Sequence, residues 1–154
     1  MSQKAVLFVC LGNICRSPMA EAALRAEAVA QGLALTIDSA GTSALHAGEG
    51  ADRRAIAEAR RHGIDLTGHR ARQVTEEDFL RFGHIYALDQ RNLRDLSAIA
   101  PRRSLAKVAL LMDIVPGREG TAVLDPWYGG PTDFVTAWDD VAQAAKYIVA
   151  DLLR

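Results

Sequence analysis

Residues 9–18 read VCLGNICRSP. The apolar run AVLFV (5–9) leads into this stretch, and the alanine-rich segment MAEAALRAEAVA (19–30) leads out of it. The first run is rich in β-branched and aromatic residues without polar alternation, and reads as a buried strand. The second, taken as 17–32, reads as a helix. Ser17 is the expected N-cap, Pro18 suits the first helical position, Glu21 falls in the first turn, and Gly32 ends it. The decamer is therefore a strand-to-helix turn, and this junction decides the fold.

Working outward, the same alternation repeats. LTID (35–38) reads as a strand, and residues 40–50, rich in Gly, Ala and Ser, as a loop. ADRRAIAEARRHG (51–63) reads as a helix closed by Gly63. TEEDFLRF (75–82) reads as a short helix, with Thr75 and Asp78 at capping-box spacing. HIYAL (84–88) is a strand, DQRNLRDLSAIA (89–100) a helix stopped by Pro101, and KVALLMDI (107–114) a fourth strand. LDPWYGGPTD (124–133) is a turn-rich loop. Over 133–154, Phe134, Trp138, Val141, Ala145 and Ile148 fall at helical spacing, so the end of the chain is an amphipathic helix.

Strands alternating with helices predict an α/β fold. It has three layers: a central four-stranded parallel sheet with helices on both faces, joined by right-handed crossovers. Neither a repeat nor a linker interrupts the pattern, so one domain over residues 1–154 is expected. In open sheets of this kind ligands bind beyond the carboxyl ends of the strands. Cys10 lies at such an end.

Composition narrows the function. The chain of 154 residues is 49% hydrophobic and 24% charged, with a formal net charge of -1. A general nucleic-acid binder would carry a large basic excess, so nucleic acid is not an expected partner. No apolar run approaches ~18 residues, so no membrane span is expected. The start, MSQKAVLFVC, meets charge and glycine too soon for a signal peptide, and a cytoplasmic location is expected. Cys10 and Cys15 are the only cysteines, and His46, His62, His69 and His84 show no metal-ligand pairing. Neither a disulfide framework nor a structural zinc site fits, and no metal or cofactor is expected. Two cysteines in one turn read as reactive.

The turn CLGNICRS has the parts of an anion seat. Gly12 and Asn13 tolerate left-handed backbone angles, which aim successive N–H groups into one concavity. The following helix adds its positive end. Arg16 supplies a planar fork that grips two oxygens together. A tetrahedral oxyanion, most simply phosphate, fits such a seat, with Cys10 entering from its floor. Free thiols titrate near 8.5, whereas thiols at helix N-termini or beside cations titrate at roughly 3.5 to 7.5. Ser17 can donate its hydroxyl to the sulfur. A bare Cys-x5-Arg is a short pattern, and a lone cysteine at a strand end is more often a small hydrophobe. The Gly, Asn, Ser-Pro and strand–turn–helix context sets this one apart.

VLFVCLGNICRSPMAEA resembles the signature of the low-molecular-weight protein tyrosine phosphatases. DSAGTS (38–43), RRHGI (60–64), HRARQVTEEDF (69–79), LDQRNLRDL (88–96) and DPWYGG (125–130) fall in that family's order, so the resemblance covers essentially the whole chain. It implies a phosphotyrosine phosphatase working through a phosphocysteine. Cys10 would be the nucleophile. The backbone of Leu11, Gly12, Asn13, Ile14, Cys15 and Arg16 would bind the phosphate, with Arg16 as clamp. Asn13 would hold the loop in shape, buttressed by Ser39 and His69, and Ser17 would tune the sulfur. Asp125 would be the general acid and then the base, a double task one carboxylic acid can perform in successive half-reactions. Trp127 and Tyr128 would wall a slot for a phenyl ring. Leu45 stands where the family often has an aromatic residue on the opposite wall. The implied partners are tyrosine-phosphorylated proteins, with inorganic phosphate and other tetrahedral oxyanions as inhibitors. A reactive thiolate is open to peroxide, and Cys15 would capture the resulting sulfenic acid as a disulfide.

Three alternatives use the same residues. Thioredoxin-coupled arsenate reductases share the loop but need further cysteines, which this chain lacks. Protein-arginine phosphatases tend to carry threonine at the position of Ile14. An inactive phosphotyrosine-binding module would be expected to have lost the nucleophile or the acid, and Cys10, Arg16 and Asp125 are all present. Arg53, Arg54, Arg60, Arg61, Arg70 and Arg72 are offset by Asp52, Glu58 and Asp65, and most of them read as a solvated helix face.

Overall fold

The structure, a computed structural model, describes residues 2–154, with side chains from Lys4 onward. The elements in chain order are β1 (Ser2–Cys10), α1 (Arg16–Ala30), β2 (Thr36–Gly41), α2 (Arg53–Arg61), α3 (Asp78–Arg81), β3 (Phe82–Ala87), α4 (Gln90–Ile99), β4 (Lys107–Leu110) and α5 (Pro131–Leu152). The four strands form one parallel sheet in the order β2-β1-β3-β4. β1 is the pivot. The chain leaves it towards β2 through α1 and later returns to its other side as β3, so the carboxyl end of β1 is a switch point of the sheet.

The pleat of β1 divides the core. Val6, Phe8 and Cys10 face one hydrophobic cluster, whose other members include Met19 and Leu24 of α1, Ala55 and Ala59 of α2, and Trp138 and Ile148 of α5. Ala5, Leu7 and Val9 face a second cluster with Phe79 of α3, Ile85 of β3 and Leu96 of α4. Helices therefore cover both faces, as an all-parallel sheet requires. The same period-two alternation sends Cys10 to the α1 side.

Several element boundaries differ from the sequence expectation. Helix α1 opens two residues earlier than expected, with Cys15 rather than Ser17 at the N-cap position, where no side chain caps it. Ser17 is inside the helix and fully buried, its hydroxyl turned to Cys10 rather than to a helix N–H. The fourth strand stops at Leu110 because its partner β3 ends at Ala87, opposite Leu110. Residues Leu111–Ile114, expected as strand, wind into a 3-10 turn. The short third helix is a single turn, with the Asp78 carboxylate accepting from the Thr75 N–H at 2.8 Å. Strand β2 runs on to Gly41, because its register with β1 continues to the pair Cys10–Gly41.

Leu7 is fully buried and Val29 is 82% exposed. Leu7→Ala should lose about 2–5 kcal/mol of unfolding free energy in urea titrations, and Val29→Ala no more than about 0.5 kcal/mol.

Candidate active site

Residues 11–15 curl into a ring between Cys10 and α1, and the ring is tied from outside through its carbonyls. Thr42 N–H donates to the Cys10 carbonyl at 2.9 Å, Ser43 N–H to Leu11 at 2.9 Å and Asp52 N–H to Ile14 at 2.8 Å. His69 Nε2 donates to the Asn13 carbonyl at 2.7 Å. A carbonyl can only accept, so His69 carries its proton on Nε2. Among the described residues there are no cis peptides. Each outward carbonyl therefore turns the next N–H inward, and the amides of Leu11, Gly12, Ile14 and Cys15 point into the ring. Gly41 lets β2 pass this close, since a Cβ there would lie 2.6 Å from the Leu11 carbonyl oxygen.

Asn13 is the hub of the ring. It is fully buried, at φ 59°, the left-handed region. Its side-chain polarity is fixed by one bond: Arg72 N–H, which can only donate, meets Oδ1 at 3.0 Å. Nδ2 must then face the two serines, donating to Ser17 Oγ at 2.8 Å and to Ser39 Oγ at 3.0 Å. Ser39 in turn donates its hydroxyl to Glu21 Oε1 at 2.7 Å. Ser17 already accepts from Asn13, so its hydroxyl is free to donate to Cys10 Sγ at 3.0 Å. The sulfur also receives the Asn13 N–H at 3.2 Å. Two donors thus converge on the sulfur, an arrangement suited to negative charge.

Arg16 is buried at the ring's edge. Its Nη1 donates to Asp89 Oδ2 at 2.8 Å and to the Val123 carbonyl at 2.9 Å. Asp89 is at the same time the N-cap of α4, accepting from Asn92 N–H at 2.8 Å. With Nη1 held from behind, Nη2 faces the cleft, 3.8 Å from Asp125 Oδ2. The cleft encloses about 310 Å3, and Cys10, Arg16, Leu45, His46, Asp125, Trp127 and Tyr128 line it with the ring. Trp127 is 37% exposed, its ring tilted against His46 with centroids 5.9 Å apart. Tyr128 is almost wholly exposed and stands at the mouth rather than in the slot. Among the described residues no group of three or more His, Cys, Asp and Glu side chains could hold a metal ion.

A sequence profile of the family described as low molecular weight phosphotyrosine protein phosphatase matches residues 5–154. The chain belongs to this family. A Schizosaccharomyces pombe member is 46% identical over 132 residues, 84% of each chain. A protein tyrosine phosphatase structure from Entamoeba histolytica, with Hepes in its active site, superposes with a TM-score of 0.91 at 34% identity, covering 99% of this chain and 97% of that one. An arginine phosphatase of Drosophila superposes equally well, at 0.91 and 30% identity, over 97% of this chain and 98% of that one.

Every site residue named from the sequence lies on the cleft or in the network behind the ring. Four further residues emerge only in three dimensions: Asp89 behind Arg16, Glu21 behind Ser39, Arg72 at Asn13, and Arg54 beside Trp127. Asp89 had one local signal, an aspartate directly after an apolar strand. Arg72 does not belong to a solvated face, since it pairs with Asp78 at 2.9 Å and Asp38 at 3.1 Å. No helix of the described chain is long and apolar enough to cross a membrane.

Cys15 differs in character from Cys10. Burial, then the charge of Asp52, raises its thiol pKa far above that of a free thiol. Native Cys15 keeps its proton where the unfolded chain loses it, so the native state binds more protons above about pH 9, and stability falls there as pH rises. Urea unfolding across that range should show wild type losing up to about 1.4 kcal/mol more per pH unit than Cys15→Ala. Equal slopes would contradict this.

Proposed function

We propose that the chain hydrolyses phosphotyrosine monoesters on proteins through a phosphocysteine on Cys10. The observation that carries this reading is the meeting of a nucleophilic sulfur, a held guanidinium and a carboxyl group at one cleft floored by inward N–H groups.

The phosphate enters the ring, its equatorial oxygens facing the inward amides of the ring and the fork of Arg16. These donors are already aimed before substrate arrives, so the negative charge of the transition state meets fixed dipoles. Cys10 Sγ attacks phosphorus from the floor, and the bond to the tyrosine oxygen breaks opposite it. Asp125, in the loop above, gives its proton to that oxygen. In the second half-reaction the same carboxylate takes a proton from water, which attacks the phosphocysteine. Ser17 holds the departing sulfur with its hydroxyl. Cys10 is buried in a cleft that Leu45 and Trp127 also line, and we read this as favouring a long flat side chain over a short one such as phosphoserine.

The Drosophila neighbour supports phosphoarginine as a second reading on the same scaffold. A ratio of kcat/KM for phosphotyrosyl over phosphoarginyl peptides separates the two. We also read Cys15 as a redox guard. Peroxide oxidises Cys10 to the sulfenic acid, and the Cys15 thiol displaces water from it to form a disulfide that thiols reduce. The protein is taken to work in the cytoplasm.

The test uses phenyl phosphate, whose leaving group needs a proton, against p-nitrophenyl phosphate, whose leaving group needs it less. Asp125→Ala should slow the first by about 10²–10⁴ and the second much less, while Cys10→Ser should turn over neither. Equal slowing of both esters by Asp125→Ala, or turnover by Cys10→Ser, would overturn the reading.

A further inference from the structure

The loop that carries Asp125 has a second attachment, on Arg54 of α2. The guanidinium carbon lies 4.7 Å from the ring centroid of Phe134 and 5.5 Å from that of Trp127. Trp127 follows Asp125 by two residues, and Phe134 lies in the first turn of α5. One cation therefore meets rings from both ends of the segment. Its Nη1 also donates to the Gly129 carbonyl at 3.1 Å. Two positions of the irregular segment, Trp127 and Gly129, and one of the helix that follows it, Phe134, converge on a single side chain.

That side chain is itself anchored to the phosphate ring. Nε and Nη2 each donate to the Asp52 carboxylate at 3.1 Å, and Asp52 also accepts from the Arg54 N–H at 2.8 Å. Against burial, which raises it, these bonds hold the Asp52 carboxyl below the usual range. The Asp52 N–H then donates to the Ile14 carbonyl in the ring, at 2.8 Å. A continuous path runs from Ile14 through Asp52 and Arg54 to Trp127 and Gly129. Arg53, next in sequence, is exposed.

We propose that Arg54 is a positioning residue for proton transfer, fixing the loop at 125–130 above the phosphate ring so that Asp125 meets the leaving oxygen. The inference rests on the reading of Asp125 as the acid. Asp125 has little else to hold it. Its side chain is 45% exposed, its Oδ2 is 3.8 Å from Arg16, beyond a hydrogen bond, and its Oδ1 accepts only from the nearby Trp127 N–H, at 3.1 Å. Proton transfer needs a separation of about 2.6–3.2 Å, and a misplacement of about 1 Å can cost on the order of 10²-fold. Lysine cannot replace Arg54 here. A point charge cannot donate in two directions from one plane while stacking between rings.

The test is a double-mutant cycle of Arg54→Ala and Asp125→Ala, read as kcat and KM on phenyl phosphate and p-nitrophenyl phosphate. Arg54→Ala should lower kcat on phenyl phosphate roughly 10- to 100-fold, with a much smaller loss on p-nitrophenyl phosphate and little change in KM. In the Asp125→Ala background the same change should cost less than about threefold more. Arg54→Lys should recover only part of the loss. A partly unfolded sample lowers both rates together, so the ratio between esters reads positioning alone. If Arg54→Ala slows both esters equally, or costs as much in the Asp125→Ala background as in wild type, Arg54 is only structural and the inference fails while Asp125 keeps its role. If Asp125→Ala itself fails to discriminate between the esters, the reading of the acid falls first and this inference falls with it.

Discussion

The hydrogen bond from Arg72 N–H to Asn13 Oδ1 sets the direction of the side-chain hydrogen bonds behind the candidate nucleophile. It leaves the Asn13 amide nitrogen facing Ser17 and Ser39, and so directs Ser39 to Glu21 and Ser17 to Cys10. The same contacts keep a non-glycine residue in the left-handed region, a conformation that costs on the order of 1–3 kcal/mol and survives only where the surroundings over-determine it. Among the described residues Asn13 is the one non-glycine at positive φ. Backbone strain, hydroxyl orientation and the ring of inward amides are held by one set of bonds.

The sheet supplies the rest of the constraint. The pleat of β1 points Cys10 to the α1 side, where the helix begins and where Ser17 can reach it. Strand β2 passes directly behind the ring, and Gly41 is the residue that permits the approach. Asp89 joins the two sides of the switch point, since it lies in the turn between β3 and α4, caps α4 and holds Arg16. The cleft therefore depends on contacts from at least three crossovers, and no single segment could form it alone.

Much of this was legible in the sequence. The apolar run before Cys10, the Gly-Asn pair and the Ser-Pro step locate the turn, and the alternation of strands and helices locates it in the fold. Ser39, His69 and Asp125 came from the family resemblance and lie where the network and cleft need them. Ser17 misled as a helix cap because a serine before proline satisfies the local rule, while its actual partners are side chains. β4 was read too long because an apolar run carries no mark of where its neighbour strand stops. Arg54 and Arg72 were read as solvated charge because their partners are distant in sequence: Gly129 for one, Asp38 and Asn13 for the other. Local rules find elements and turns. They do not find which of several arginines is folded inward.

The central claim is that the ring behind Asn13 is a preformed seat for a tetrahedral oxyanion with Cys10 as its floor. A crystal structure with vanadate tests it most directly. The account predicts vanadium bonded to Cys10 Sγ, its equatorial oxygens on the inward amides and on Arg16, and Asn13 unchanged in the left-handed region. Vanadate bound elsewhere, or bound without the sulfur bond, would contradict it.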